Sequence, residues 1–377
     1  MSSFKLERMS ISKKPWTGDG ASVEDSNMAM VGSDMDKDAR KAAAAGEAAW
    51  AGCGAAPGVE VWRVEKMKIV KWPKEHYGDF FAGDSYIILK TTKQKDSDKL
   101  LWDIFFWLGE STSQDEMGVA AYKTVELDDL MDQAPVQHRE VMGHESIAFT
   151  KIFKQLNYMQ GGVESGFTHV EAGTYVSKLF RVRKMKHTVK VAEVPCKCAS
   201  LNAGDCFILD TGKTLYPWFG ESASAFEKAK CGTSAHNMAN LRNGKSSVKV
   251  DIDADFWAAL GGEGPIAPET DAPVESEEPG EGILFKLSDA SGELQCTEVG
   301  RGDVKKSMLS SDDVFLLDAG REVFTWIGSK ASDAERRNAM STAIAYLTSA
   351  NKPISTAIHC FSEDTPFKND IWDKIMD

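Results

Sequence analysis

The chain has 377 residues, 42% hydrophobic and 27% charged, with 44 basic against 57 acidic side chains and a formal net charge of −13. That length exceeds what one hydrophobic core usually serves, so two or three domains are expected. The acidity disfavours nucleic acid as the main partner and suits cations or basic protein surfaces, and no apolar run approaches the ~20 residues that cross a bilayer.

Residues 1–55 are weakly patterned and lack the apolar core of a secretory signal; within them DKDARKAAAAGEAAW predicts one short helix. GDSYIILK at 83–90 then reads as a buried strand entered by a glycine and an acid. The polar turn KTTKQKDSDK leads to a second strand, LLWDIFFWLGESTSQDE, which Gly109 ends. The Ser/Thr-rich, acidic and then alanine-rich stretch from Ser113 to about Met131 predicts a helix. His138 and His144 follow in what reads as a surface loop without ligand spacing, and no role is predicted for them. KLFRVRKMKHTVK at 178–190 holds six Lys/Arg and no acid, a local field opposite in sign to the whole chain.

The strand phrase then returns twice. GDCFILD at 204–210 is followed by TLYPWFGESASAFEK with Gly220, and SDDVFLLD at 311–318 by EVFTWIGSKASDAER with Gly328. A glutamate stands seven residues after each glycine, at Glu116, Glu227 and Glu335. Asp205 to Glu227 and Asp313 to Glu335 are both 22 residues, whereas Asp84 to Glu116 is 32 because the first hairpin is longer. Three modules of about 100 residues follow, each a small sheet carrying a long helix, an α/β fold of the α+β kind. The expected boundaries are 1–55 for an N-terminal extension, 56–165, 170–262 and 282–377 for the repeats, and 263–281 for a Pro/Gly/acid-rich linker. The seven cysteines are scattered, with only Cys196 and Cys198 close and neither in redox nor zinc spacing, which predicts reduced thiols in a cytoplasmic protein.

Strand–turn–helix geometry lets each strand-edge aspartate face the first helical turn, where the glutamate lies. Two such carboxylates repel unless something positive stands between them, and calcium accepts carboxylates together with main-chain carbonyls. A turn acid and a helix-dipole acid would explain one copy but not three in register. A glycosidase-like acid/base pair fits worse, since catalysis needs a single site. The helix after Ser113 carries two apolar stripes: Met117, Ala120, Ala121, Thr124 and Leu127 suit a sheet, while Val119, Tyr122 and Val125 form another. Periodicity leaves open whether the second stripe is core or a partner surface.

FFAGDSYIILKT, FWLGESTSQDEMGVAAYKTVELDDLM, APVQHREVMGHES, GGVESGF and LFKLSDASGEL together resemble the gelsolin superfamily, most closely its three-repeat severin and fragmin type. The resemblance runs from about Trp50 to the C-terminus. It implies a central mixed sheet between a long and a short helix in each repeat. It further implies a calcium-controlled actin-binding protein, not an enzyme, that severs filaments, caps their fast-growing ends and nucleates new ones. A scaffold of this fold binding a different protein is the alternative.

The calcium ligands it implies are Gly83, Asp84, Glu116 and Val163 in the first repeat, and Gly204, Asp205 and Glu227 in the second. There a linker acid among Glu269, Asp271 and Glu275 completes the set. In the third they are Asp312, Asp313 and Glu335, without the Gly-Asp lead-in. A second ion, shared with actin, maps to Asp128 with carbonyls near Gln133 and Pro135, where a glutamine replaces the glycine of some relatives. The resemblance places Val119, Tyr122 and Val125 in an actin cleft as a wedge, and Lys178, Arg181, Arg183 and Lys184 on the filament side. Lys151, Lys154, Lys184 and Lys186 are candidate phosphoinositide contacts. Cys206 sits where a relative has a disulfide partner, but its mate position is Phe219, so no bridge is expected. The switch is expected to be electrostatic, with unfilled carboxylate pairs repelling and the repeats docked until calcium fills them.

Overall fold

In a computed structural model, which describes residues 3–5, 41–42, 44–65, 68–95, 97–162, 175–185, 187–240, 242, 245–268, 280–288 and 295–377, the three repeated phrases are the most deeply buried strands of their modules. Ahead of them lies β1 (Ser3–Lys5). The first repeat contributes β2 (Gly58–Glu65), β3 (Lys68–Lys71), β4 (Asp79–Phe81), β5 (Ser85–Lys93), β6 (Leu100–Leu108), helix α1 (Gln114–Leu130), β7 (Val136–Val141), α2 (Ile147–Thr150) and β8 (Gln155–Met159). The second contributes β9 (Lys178–Lys184), β10 (Val189–Val194), β11 (Cys206–Asp210), β12 (Thr214–Phe219), α3 (Ala225–Asn240), β13 (Ser247–Val248) and α4 (Ala254–Ala259). The third contributes β14 (Ile283–Ser288), β15 (Gln295–Arg301), β16 (Val314–Asp318), β17 (Glu322–Ile327), α5 (Asp333–Ser349), β18 (Ala357–Ser362) and α6 (Asp370–Met376).

The same four-strand core recurs. β2–β5–β6–β7, β9–β11–β12–β13 and β14–β16–β17–β18 each run antiparallel, antiparallel, then parallel. The parallel step needs a crossover connection, and the long helix supplies it each time. Leu127 of α1, Ala235 of α3 and Ala343 of α5 pack on one face of their sheets. Phe149 of α2, Phe256 of α4 and Trp372 of α6 pack on the other. This is the expected sheet between a long and a short helix.

The sheets do not stop at the repeat boundaries, which sequence reasoning had not foreseen. β7 pairs antiparallel with β18, so the first and third repeats share an 11-stranded sheet in the order β1-β15-β14-β16-β17-β18-β7-β6-β5-β2-β3. β8 leaves its own module to pair in parallel with β10, which gives a seven-stranded sheet, β13-β12-β11-β9-β10-β8-β4. Each junction covers an edge strand whose backbone groups would otherwise be unpaired. The N-terminal extension also differs from its expectation at its end. Ala44 and Trp50 are buried against Trp62 and Ile87, and the two indoles meet edge-on at 4.9 Å. Among the described residues, no helix is long and apolar enough to cross a membrane.

Candidate metal centres and partner-facing helix

A backbone frame is repeated at the mouth of each buried strand. The Gly109, Gly220 and Gly328 N–H groups donate to the carbonyls of Asp84, Asp205 and Asp313 at 2.9, 3.0 and 3.0 Å. Two residues on, Ser111, Ser222 and Lys330 donate to Ala82, Ala203 and Ser311. The glycines are required by this closeness: a Cβ would fall 2.3, 2.4 and 2.3 Å from the Ala82, Ala203 and Ser311 oxygens. Gly220→Ala is therefore expected to force the two turns apart and cost about 1–3 kcal/mol, read as a lower urea midpoint. An unchanged midpoint would show that the frame yields freely.

The three aspartates are already matched by bases. Arg63 Nη2 lies 2.7 Å from Asp84 Oδ2, and Lys286 Nζ 2.8 Å from Asp313 Oδ2. Asp205 takes two, Arg181 Nη2 at 2.6 Å and Arg183 Nε at 3.2 Å. Arg63, Arg181 and Lys286 hold one equivalent place, opposite Tyr86, Phe207 and Phe315 on the neighbouring strand, two residues past each aspartate. Sequence reasoning missed this set, although its signal is present in Trp62-Arg63-Val64, Phe180-Arg181-Val182 and Phe285-Lys286-Leu287. The expected repulsion between unfilled carboxylates is thus corrected: a side chain supplies the positive charge that the pair needs.

The glutamates occupy the first helical turns as expected, and they cap them. Ser113 with Glu116 and Ser332 with Glu335 form reciprocal capping boxes, and Ser224 with Glu227 makes the same bonds. A chain from Ser85 Oγ to Thr112 Oγ1 at 2.9 Å, and on to Glu116 Oε2 at 3.3 Å, ties the helix acid to the residue after Asp84. In the second repeat Glu227 Oε1 accepts the Lys184 N–H at 3.0 Å, beside the Arg183 that holds Asp205. Burial works against the Glu227 charge, but the Lys184 and Ser224 hydrogen bonds prevail and lower its pKa.

The donor set suits a hard cation. In the first repeat Cβ atoms added to Gly83 and Gly162 would lie 2.7 Å from the Gly161 oxygen and 2.6 Å from Asp84 Oδ1, so the 161–162 loop lies directly against the acid. Val163 itself falls outside the described residues. Asn202 holds the second turn, accepting from the Gly204 and Asp205 N–H groups and donating to Asp205 Oδ2. The Ala203 N–H donates to the Ala267 carbonyl, which brings the start of the linker to this turn. Glu269, Asp271 and Glu275 lie outside the described residues. In the third repeat Asp312 is exposed beside buried Asp313 and Glu335.

The Asp128, Gln133 and Pro135 trio does come together, lining one small pocket with Arg336, Arg337 and Met340 of α5. Gln137 Nε2 donates to Asp128 Oδ2 at 2.9 Å, and the Gln133 N–H to the Asp128 carbonyl at 2.9 Å. Gln133 has a φ of 59°, in the left-handed region that favours glycine. On α1 the Ala120, Thr124 and Leu127 stripe is buried, while Tyr122 is 53% and Val125 39% exposed. Val119 is half-buried in a cluster that includes Met340.

The basic hairpin is less free than its composition implied. Lys178 pairs with Glu193 at 3.3 Å, and Arg181 and Arg183 are drawn to Asp205. Lys184 remains exposed, its ammonium 5.1 Å from the Phe226 ring centroid. Lys151 and Lys154 are exposed, and Lys186 lies outside the described residues. All seven cysteines are free, and Cys206 is paired in register with Phe219 as expected.

His138 overturns its expectation. It lies on β7, 1% exposed, and its Nδ1 is 2.7 Å from Nδ1 of fully buried His359 on β18, across the junction of the first and third repeats. Nothing in the local sequence could show this, because the partner is 221 residues away. Burial pushes His138 down to about 4 and Glu140 up to about 7. Burial also opposes a charge on His359, but Glu322 outweighs it and raises that pKa.

Comparison with known proteins follows the same three modules. A family model described as the gelsolin repeat matches residues 66–150, 187–251 and 297–363. The chain is 39% identical over 337 residues to Gelsolin-like protein 2 of Lumbricus terrestris, covering 88% of this chain and 91% of that one. It is 36% identical over 371 residues to Severin of Echinococcus granulosus, covering 93% and 97%. To the Actin depolymerising venom protein gelsolin 1 of Platymeris rhadamanthus it is 38% identical, covering 84% and 89%.

Proposed function

This chain belongs to the gelsolin family, and from that premise we propose that it severs actin filaments and caps their fast-growing ends under calcium control, as a non-enzymatic protein of the cytoplasmic cytoskeleton. The observation that carries the reading is α1: one stripe is packed on the sheet while Tyr122 and Val125 stay in water on the other. A helix with a second, unburied apolar stripe suits a partner's groove. Inserted between actin subunits, it occupies surface that the next subunit needs, which breaks the filament and then blocks its end.

Calcium, held by Asp84 with Glu116, Asp205 with Glu227, and Asp313 with Glu335 together with nearby carbonyls, would supply the positive charge that Arg63, Arg181, Arg183 and Lys286 now supply. Those bases lie on β2, β9 and β14, so releasing them alters the charge balance within the sheet itself. The β7–β18 pairing and the α5 side chains Arg336, Arg337 and Met340 hold the third repeat beside Asp128. Separation at that junction frees the actin-facing end of α1. Lys184 contributes the filament-side contact that Arg181 and Arg183 join once freed. Exposed Lys151 and Lys154 are our candidates for phosphoinositide headgroups.

Time-resolved imaging of single filaments with the wild type and Glu116→Gln tests the reading. Glutamine keeps the capping box while removing the charge. The variant is expected to stay folded and lose much of its calcium sensitivity. Wild type that leaves filaments intact and ends uncapped at every calcium level would overturn the proposal.

A further inference from the structure

The buried junction between the first and third repeats carries a second kind of site. His138 and His359 face each other directly across β7 and β18, and Glu140 is two residues from His138 and so on the same face. One nitrogen of each ring and a Glu140 carboxylate oxygen lie within 4.8 Å of one another, and all three residues are buried. The outer nitrogens are committed: His138 Nε2 lies 2.9 Å from Asp103 Oδ1, and His359 Nε2 3.1 Å from Glu322 Oε2. Asn369 Nδ2 in turn donates to Glu322 at 3.0 Å. The third side chain is fixed as well, Glu140 accepting the Ser146 N–H at 2.7 Å and its hydroxyl at 2.6 Å.

We propose that His138, Glu140 and His359 form a binding site for a divalent transition metal, zinc by its chemistry, that clamps the first repeat to the third. Imidazole with one carboxylate is a ligand set that suits zinc and not calcium, whose preference is for oxygen. A ligating histidine characteristically donates its other N–H to a carboxylate, which fixes the ring and its tautomer, and here both rings do so. With both Nε2–H groups donated outward, the inner lone pairs on the two Nδ1 atoms converge, and a single proton holds them at 2.7 Å. Zinc replaces that proton. The rings then move apart slightly, since two nitrogens each ~2.1 Å from a tetrahedral ion lie farther apart than a hydrogen bond. Three protein ligands leave one position for water. Three carboxylates, Asp103, Glu322 and Glu140, surround the pair, so a dication also answers their mutual repulsion. Entry is from a cleft of about 850 Å³ whose lining includes Asp103, His138 and Glu322.

The test is a titration of the metal-free full-length chain with cobalt(II), followed by displacement with zinc, in buffer without calcium or actin. The wild type is expected to bind one equivalent with the intense visible absorption of tetrahedral cobalt, and its thermal midpoint is expected to rise with zinc. Glu140→Gln and His359→Gln are expected to abolish that absorption. Glu322→Gln, which keeps all three ligands, should weaken binding about 10- to 100-fold. A wild type with no saturable site, or variants that bind as tightly as it does, would show a proton-sharing histidine pair only and overturn the proposal. Neither result depends on severing, so the two readings fail separately.

Discussion

Filaments challenged with the Tyr122→Ala, Val125→Asp double variant are expected to stay intact at calcium levels where the wild type cuts them. Truncating an aromatic that acts as an interface hot spot costs about 2 kcal/mol or more, which is ~30-fold in affinity. An unpaired carboxylate placed in the same desolvated groove adds a further cost of similar size, so binding should weaken by ~100-fold or more. The fold should not suffer, because Tyr122 and Val125 are exposed and the stripe beneath them, Ala120, Thr124 and Leu127, is untouched. Surface changes of this kind usually alter stability by less than about 0.5 kcal/mol. Severing and capping at the wild-type rate by a variant with unchanged thermal stability would remove α1 from the mechanism.

Arg63→Met is expected to have the largest effect on stability, and calcium should reduce it. Arg63 is buried, paired with Asp84 at 2.7 Å, and its guanidinium carbon lies 5.2 and 5.1 Å from the Trp72 and Phe81 ring centroids. Methionine replaces the volume but leaves the Asp84 charge, which is 0% exposed, without its counter-ion. Breaking a buried pair in this way costs about 3–5 kcal/mol, a large part of a domain's ~5–15 kcal/mol. The measurement is urea denaturation of wild type and variant, with and without saturating calcium. If the ion and the guanidinium serve the same carboxylate, the loss shrinks when calcium is present. An equal loss in both conditions would mean that they do not, and the exchange of base for ion at this site would fall.

Much of the site was legible in order along the chain. Glu116, Glu227 and Glu335 stand in first helical turns because a Ser precedes each by three residues, a local signal that capping chemistry reads the same way in any fold. The strand-edge aspartates were legible because each opens a buried apolar phrase, after Gly83 and Gly204 in the first two repeats and after Asp312 in the third. The bases were not, although each occupies a repeated phrase, because a basic residue inside a strand has no local meaning until the register sets it opposite an acid. Arg181 and Arg183 show the cost of reading composition alone. Six basic residues in one hairpin predict a field, and pairing with Asp205 removes part of it.

By itself the sequence determined the number of modules, a pair of strand phrases and a long helix in each, the recurrence of a strand-edge aspartate with a helix-start glutamate, and the two stripes of α1, since all of these rest on periodicity and spacing within one module. Only the tertiary structure decided how the modules share their sheets, which bases neutralise the aspartates, and that His138 meets His359. Those facts depend on which edge strand finds which partner, and hydrogen bonding between backbones carries no signature of the side chains it brings together.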